Sequence, residues 1–199
     1  YRMYARFGFQ SVEAESGYMA YYRTSQADFE RGYFAQPTSP TDLVVQPLRW
    51  PHWPASVPLF LGDFPGVVRC VRAHIFGRAS SEGGLLPLLL EGEAQQGAGQ
   101  PATTVVLQNQ VNGSILGLAT YHDHPLWPET YLLDLYCHPA YWTEAPALLA
   151  TLQLPAETRT VTYVDSEDQA KQAVLAAQGF QPVATLPRWL TTTVSHNHQ

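Results

Sequence analysis

A seven-residue motif occurs twice in this chain, at positions far enough apart to constrain its domain organisation. Residues 6–12 read Arg-Phe-Gly-Phe-Gln-Ser-Val and residues 177–183 read Ala-Gln-Gly-Phe-Gln-Pro-Val, so Gly, Phe, Gln and Val coincide without a gap. An offset of 171 positions is much longer than a solenoid repeat and indicates two copies of one domain. We therefore predict that residues 1–23 are the C-terminal helix and strands of one domain, and that a second copy follows.

The segments between the two motifs set the remaining boundaries. Residues 24–41 contain Ser, Gln, Gly and Pro and end in Gln-Pro-Thr-Ser-Pro, which predicts a linker. Residues 42–194 have the length of one small domain, and residues 195–199 form a polar tail. Because the chain begins with Tyr1 and its first residues fit a helix, we expect it to be preceded by the rest of an upstream domain.

The composition excludes several classes of partner. Of the 199 residues 45% are hydrophobic, which supports a packed core, and the formal net charge is −6. The few Lys and Arg are scattered, whereas a nucleic-acid-binding surface needs a basic stripe. No apolar run reaches the length of a membrane span. Two cysteines do not make a disulfide scaffold, so we predict a cytoplasmic protein.

The order of predicted elements is that of a mixed α/β sheet, an antiparallel meander followed by a βαβ unit. Alternation and β-branched residues predict the strands 9–12, 18–23, 43–48, 103–108, 114–121, 130–138 and 160–164, with one or two more in 180–194. Apolar spacing predicts helices over 2–7, 67–76, 146–154 and 166–178, while 85–90 fits either a helix or a strand.

Local signals refine two of these elements. Asn112 and Gly113 predict a two-residue type I′ turn between neighbouring strands. Ser166 predicts the cap of the last helix, through a capping box with Gln169. The buried stripe of that helix is predicted to consist of Ala170, Ala173, Val174 and Ala177.

Two stretches carry a resemblance to a known family. Residues 133–141, Leu-Asp-Leu-Tyr-Cys-His-Pro-Ala-Tyr, resemble the fourth strand and the start of the acetyl-CoA loop of GCN5-related N-acetyltransferases (GNATs). Residues 176–180, Ala-Ala-Gln-Gly-Phe, resemble the end of that family's closing helix and the strand after it. The resemblance implies the GNAT acyl-CoA N-acyltransferase fold. It also implies that acetyl-CoA is the cosubstrate and that the acceptor is an amine on a small molecule or a peptide.

The resemblance also assigns roles to individual residues. In the family, acetyl-CoA lies where the fourth and fifth strands part, and this places Leu135, Tyr136 and Cys137 along the pantetheine arm. The loop that wraps the diphosphate maps onto residues 142–147, with Ala145 and Ala147 at its Gly positions. Asp134 corresponds to the general base on strand four, although alternation also fits an exposed position on the polar face of that strand. Tyr4, in the tail of the first copy, corresponds to the acid that protonates the leaving thiolate.

The complete copy departs from the family pattern at the positions that contact phosphate. Trp142 stands where Gln or Arg is expected, Ala145 replaces Gly, and Pro146 has no N–H to donate. Leu175 occupies the position that corresponds to Tyr4 and cannot supply a proton. One interpretation is therefore an N-acetyltransferase whose main active site lies upstream, this fragment itself being inactive. The alternative is a non-catalytic, degenerate copy that serves as a structural, acceptor-binding or dimerisation module.

Two further patterns concern metal binding and association. His122, His124 and His138 supply three imidazoles, enough for a zinc site, but a solvated loop explains them without a metal, and we predict none. Residues 1–23, with an aromatic strand at 18–23, have no sheet of their own copy. We predict that they add to an edge of the second copy, pair with another molecule as a homodimer or strand swap, or are poorly ordered.

Overall fold

The fold is centred on a five-stranded sheet. The computed structural model describes residues 10–11, 21–22, 25–76, 85–155 and 158–185. In this part the strands are β1 (Gln10–Ser11), β2 (Tyr21–Tyr22), β3 (Leu43–Pro47), β4 (Val68–Cys70), β5 (Ile75–Phe76), β6 (Thr104–Asn109), β7 (Ile115–Asp123), β8 (Thr130–Cys137) and β9 (Arg159–Thr162). The α-helices are α1 (Gln26–Tyr33), α2 (His52–Leu61), α3 (Leu86–Gly97), α4 (Ala145–Leu152) and α5 (Gln169–Ala177), and 3-10 helices span Pro40–Asp42 and Pro139–Glu144.

The sheet has the order β3-β6-β7-β8-β9. The pairs from β3 to β8 are antiparallel, and β8 and β9 are parallel, joined by the crossover helix α4. The predicted antiparallel meander followed by a βαβ unit is therefore confirmed. The segment 85–90, for which the sequence fits both a helix and a strand, lies in helix α3 after Leu85.

Helix α4 packs directly on the sheet at Gly117 of β7. A Cβ atom added at Gly117 would lie 2.7 Å from the Cys137 sulfur and 3.1 Å from Cδ1 of Leu148. Leu148 and Leu152 of α4 are fully buried in this contact. The absence of a side chain at Gly117 thus sets how closely the crossover helix approaches the sheet.

The turn between β6 and β7 differs from the predicted type I′ turn. That turn needs positive φ at both central residues, but only Gly113 has one, at +77°. Asn109 and Ser114 close a longer loop, in which Gly113 donates to the Asn109 carbonyl at 2.8 Å. The Asn112 side chain accepts from the Ser114 N–H instead, which holds the longer loop.

The predicted helix over 67–76 is wrong, because this segment forms the antiparallel hairpin β4–β5. The apolar positions that suggest a helix are largely β-branched, which suits a strand equally well. His74 takes a φ of +55° in the turn, a conformation that no α-helix contains. Several N–H groups of this segment donate to carboxylates that are distant in sequence, which stabilises the hairpin without a helix.

The segment predicted as a linker contains an α-helix and contributes to the core. Ser25 caps α1 by accepting from the Asp28 N–H, and Phe34, just after the helix, is buried. The Tyr33 hydroxyl donates to the carbonyl of Ala55 and accepts from the N–H of Ile115 at 3.1 Å. Tyr33 thus joins this segment to α2 and to the start of β7, while the domain boundaries remain a prediction.

The two ends of the chain are described only in part. The strands predicted at 9–12 and 18–23 are represented by β1 and β2, which pair with each other in antiparallel register. Tyr4, the predicted helix 2–7 and residues 186–199 lie outside the described residues, and 181–185 contain no strand. Among the helices described, none combines the length and hydrophobicity that crossing a membrane would require.

Candidate functional site

The parallel strands β8 and β9 pair over only half the length of β8. Their register runs from Thr130 opposite Arg159 to Leu133 opposite Thr162. Beyond Leu133, residues 134–137 of β8 have no strand partner on that side in the described part of the chain. We call the space between 134–137 and the chain that leaves β9 the gap. It is the place where the sequence predicts that the fourth and fifth strands part.

Residues 65–72, which we call the strap, bridge the two sides of the gap. On the β9 side, the Val67 and Val68 N–H groups both donate to Oδ2 of Asp165, at 2.6 and 2.8 Å. The ammonium group of Lys171 donates to the Val68 carbonyl at 3.4 Å and to the Tyr163 carbonyl at 3.0 Å. The strap is therefore bonded to the end of β9 and to helix α5.

On the β8 side the strap is held by Asp134. Its Oδ1 accepts from the Val71 N–H at 2.9 Å, and its Oδ2 accepts from the Arg72 N–H at 2.8 Å and from the Cys70 thiol at 3.6 Å. The side chain is buried, with 1% of its surface exposed. The exposed position expected as an alternative is thus wrong. The geometry instead gives Asp134 a structural role as the acceptor for the hairpin turn.

The strap begins at a position that favours glycine. Gly66 has a φ of +95°, and an added Cβ would lie 2.8 Å from Oδ2 of Asp168 and 3.3 Å from the Tyr136 ring. The Tyr136 hydroxyl donates to the Pro65 carbonyl at 3.4 Å. The start of the strap therefore lies against both β8 and the first turn of α5.

Two buried cations stabilise this region. Arg69 is 1% exposed and donates to the carbonyls of Leu59, Phe60, Gly62 and Phe64, while its guanidinium carbon lies 5.2 Å from the Tyr136 ring centroid. Burial lowers the pKa of Lys171 and raises the pKa of the neighbouring Asp168. Both cations donate to carbonyl oxygens, which offsets the cost of removing their charges from water.

The buried face of α5 differs from the predicted one. Lys171 and Leu175 are its buried residues, whereas Ala170, Ala173 and Ala177 are exposed and Val174 is partly buried. Asp168 caps the helix by accepting from the Lys171 N–H, so the predicted capping box at Ser166 is also wrong. Lys171 lies among alanines, and nothing in the sequence indicates that its side chain points into the protein.

The loop after β8 offers few N–H groups for an anion. It forms the 3-10 helix Pro139–Glu144, in which the Ala140 N–H donates to Nδ1 of His138 and the Tyr141 N–H donates to the His138 carbonyl. The Ala145 N–H donates to the Trp142 carbonyl, and the two prolines of this stretch have none. A phosphate cradle needs several free N–H groups at a helix N-terminus, and here Ala140, Tyr141 and Ala145 already donate within the loop.

Aromatic side chains fill the space around this loop. Phe34 stacks on His138 with 4.1 Å between ring centroids, and Phe64 meets the same imidazole edge-on at 4.5 Å. The Tyr141 hydroxyl donates to the carbonyls of Phe34 and Ala35, at 3.0 and 2.9 Å. Burial lowers the pKa of His138 to about 4, so the imidazole is neutral near pH 7. The segment before β3 thus packs against the loop after β8.

Four of the five predicted cofactor-binding residues are buried and one is exposed. Leu135, Tyr136, Cys137 and Ala145 are fully buried, and Ala147 is exposed on the first turn of α4. Burial raises the pKa of the Cys137 thiol well above its ordinary value. The residues that sequence reasoning missed are Asp165, Lys171 and Arg69, whose roles depend on contacts with distant parts of the chain.

The three histidines considered for zinc do not meet. His124 follows β7 opposite Thr130 at the start of β8, while His138 comes after the other end of that strand. At about 3.3 Å per residue, eight residues of strand separate them by more than 20 Å. In the described part of the chain no group of three or more His, Cys, Asp or Glu could hold a metal ion.

Comparisons with known proteins identify the fold. No family model matches the sequence, and no curated protein matches it. The protein yncA from Salmonella typhimurium, solved with its cofactor acetyl-CoA, is similar with a TM-score of 0.54 and 17% identity, over 76% of this chain and 87% of that one. An N-acetyltransferase from Staphylococcus aureus Mu50 is similar with a TM-score of 0.50 and 18% identity, over 70% and 83%. The predicted GNAT acyl-CoA N-acyltransferase fold is thereby confirmed.

Proposed function

We propose that this chain takes part in acetyl transfer from acetyl-CoA to an amine, as a GNAT-fold domain that does not itself hold the nucleotide. The fold supports the reaction class, since yncA was solved with acetyl-CoA and the Staphylococcus aureus protein is an N-acetyltransferase. A fold by itself does not assign a function to a site, however, and the residues at the site decide what this domain contributes.

The observation that carries the proposal is the strap across the gap. Asp165 and Lys171 bond it on the β9 side and Asp134 bonds it on the β8 side. Acetyl-CoA would need the free edge of β8 for its pantetheine arm, as an added strand does. The strap crosses the gap beside that edge, and an arm that displaced it would leave Asp134, Asp165 and Lys171 without these partners. The residues present do not fit the cofactor.

The loop after β8 supports the same conclusion. Its prolines and its internally bonded N–H groups leave few donors for a diphosphate, and Trp142 and Tyr141 are buried where the phosphate loop needs open backbone. Asp134 is buried and both of its carboxylate oxygens already accept backbone N–H groups, which does not suit a base that must reach an amine. We therefore assign acetyl-CoA binding and catalysis to another copy of the fold.

The repeated motif supports an upstream location for that other copy. Residues 6–12 correspond to 177–183, and the same alignment places Tyr4 where the complete copy has Leu175. We propose that Tyr4 is the acid of the catalytic copy and that the acceptor is a small-molecule or peptide amine. The domain described here would support that copy, shape its acceptor cleft or mediate dimerisation.

A second candidate function has one observation in its favour. The strands β8 and β9 do part after Leu133 and Thr162, as a domain that binds acetyl-CoA requires. In this alternative, the strap leaves the gap when acetyl-CoA arrives, and the domain carries out the transfer itself.

Isothermal titration calorimetry separates the two candidates. Acetyl-CoA is titrated into the 199-residue chain, after cooperative unfolding in urea has established that the preparation is folded. The Salmonella typhimurium protein yncA, in the same buffer, is the positive control. We expect no saturable heat from this chain. Saturable binding with a Kd of roughly 100 µM or tighter, corresponding to about −5.5 kcal/mol, would overturn the proposal in favour of the second candidate.

A further inference from the structure

A cavity of about 330 Å³ lies between the end of β3 and the second half of α3. It is separate from the gap, because none of its lining residues belongs to the strap, β8, β9 or α5. Leu48 forms part of its wall on the sheet side, and its N–H donates to the Thr104 carbonyl at 3.0 Å. Sites for small molecules have volumes of roughly 300–1,000 Å³, so this one suits a small metabolite.

The space exists because of a glycine inside a helix. Gly92 lines the cavity in the middle of α3, and the nearest atom to an added Cβ is the Leu48 carbonyl oxygen, at 4.0 Å. Glycine is less favourable than alanine in a helix interior. At position 92 the missing side chain leaves open space beside the helix. The carbonyls in the last turn of α3 accept from the N–H groups of residues 98–100. These carbonyls therefore do not present free negative partial charges to a ligand in the cavity.

Three polar side chains of the cavity are solvent-exposed and lack protein partners, whereas Thr104 bonds Thr120. Arg49, Gln96 and Gln100 line it, and within the described residues none of their side chains has a hydrogen bond or ion pair. The neighbouring Gln95 differs, because its amide bonds Thr103 and so belongs to the wall. The described lining contains no carboxylate, although the chain as a whole has a net charge of −6.

We propose that this cavity binds a small molecule that carries one carboxylate or phosphate group. A guanidinium matches either anion with two parallel hydrogen bonds, and Arg49 supplies it here. The amides of Gln96 and Gln100 can both donate and accept, which suits the polar atoms next to the anion. Leu48 and Leu88 provide an apolar surface for the carbon skeleton. The site does not depend on the function proposed for the gap.

The first test uses two probes that share a ring and differ in the anion, hippurate and phenyl phosphate. Each is titrated into the chain and followed by backbone amide NMR shifts. We expect saturable shifts confined to residues 48–49, 88–104 and their neighbours, with a Kd of about 1 mM or tighter. Hippuramide, the neutral amide, should bind at least tenfold more weakly. Shifts spread over the surface, or equal binding of hippuramide, would overturn the proposal.

Three variants locate the site. Gly92→Leu fills the cavity and should abolish binding of the better probe while raising Tm, because a helix-favouring residue replaces glycine. Gly97→Ala, with no atom near its added Cβ, is the matched control and should bind as the wild type does. Arg49→Gln, at an exposed position, should weaken binding about tenfold or more without altering the fold. Wild-type affinity in both Gly92→Leu and Arg49→Gln would exclude this cavity as the site.

Discussion

At the scale of single residues, buried charges at the gap have structural partners. Asp134 and Asp165 accept from backbone N–H groups, and Lys171 and Arg69 donate to backbone carbonyls. A carboxylate that accepts two N–H groups contributes to stability through both of them, and its removal leaves both donors unsatisfied. These side chains therefore determine whether the strap stays in place.

Replacement of Asp134 tests its role as an acceptor. Asp134→Ala should lower the free energy of unfolding by about 2–3 kcal/mol, because the Val71 and Arg72 N–H groups lose their acceptor. Urea denaturation followed by circular dichroism measures the loss. Asp123→Ala, at an exposed end of β7, is the control and should stay within about 0.5 kcal/mol of the wild type. A stable Asp134→Ala protein would contradict the structural role.

The stability of the protein should depend on the protonation of His138. Burial lowers its pKa from 6.5 to about 4, so between these values the unfolded chain binds a proton that the folded chain does not. The stability that the folded state gains by holding His138 neutral is therefore fully present above pH 6.5. It is lost as the pH falls toward 4. Urea denaturation at pH 7 and pH 5 should show a smaller loss in His138→Phe than in the wild type.

The control for that comparison is His74→Asn. His74 is exposed and has a positive φ, which asparagine tolerates. It should keep the pH dependence of the wild type. If His138→Phe and the wild type lost equal stability between pH 7 and pH 5, the buried neutral imidazole would not be the cause.

At the scale of elements, the sequence predicts what local patterns determine and misses what distant contacts determine. The strands from β6 to β9 and the helices α4 and α5 follow alternation and turn signals along their own length. For the hairpin β4–β5 the sequence predicts a helix instead, because the acceptors of the hairpin, Asp134 and Asp165, lie more than 60 positions away. The family resemblance of residues 133–141 predicts where a site would lie, whereas the strap that bridges the gap has no local signal.

Removal of the Asp165 acceptor should increase local opening of the strap while the sheet stays folded. Asp165→Ala removes the acceptor of the Val67 and Val68 N–H groups, so hydrogen exchange of residues 65–72 should accelerate about tenfold or more, tenfold being equivalent to about 1.4 kcal/mol. Exchange in α4 should not change. Mass spectrometry of peptides from both regions measures the difference, with the exposed Glu167→Ala as control. Uniform acceleration across the chain would mean global destabilisation rather than release of the strap.

At the scale of the whole molecule, the N-terminal hairpin is the candidate element for association. β1 and β2 pair with each other, and a two-stranded hairpin alone is only marginally stable in water. Its strands Gln10–Ser11 and Tyr21–Tyr22 lie in the segment for which the sequence predicts association. The predicted homodimer or strand swap would extend this two-stranded hairpin.

Deletion of residues 1–23 tests this association. The full chain should be a dimer in light scattering coupled to size-exclusion chromatography, and the deletion variant should be a monomer that still unfolds cooperatively. The deletion leaves Ser25, which caps α1, in place, so the variant keeps the packing of Tyr33 and Phe34. A full chain that is monomeric at about 100 µM, where weak dimers already form, would contradict the prediction.

The residue at position 66 indicates, in a related sequence, whether a strap of this kind can cross the gap. The positive φ of Gly66 is strained for any other residue, and an added Cβ would crowd Oδ2 of Asp168 and the Tyr136 ring. A relative that keeps glycine there together with an aspartate at position 168 can place this segment in the same way. We expect a relative with a β-branched residue at position 66 to route the segment differently. One position of the sequence therefore predicts the path of this segment.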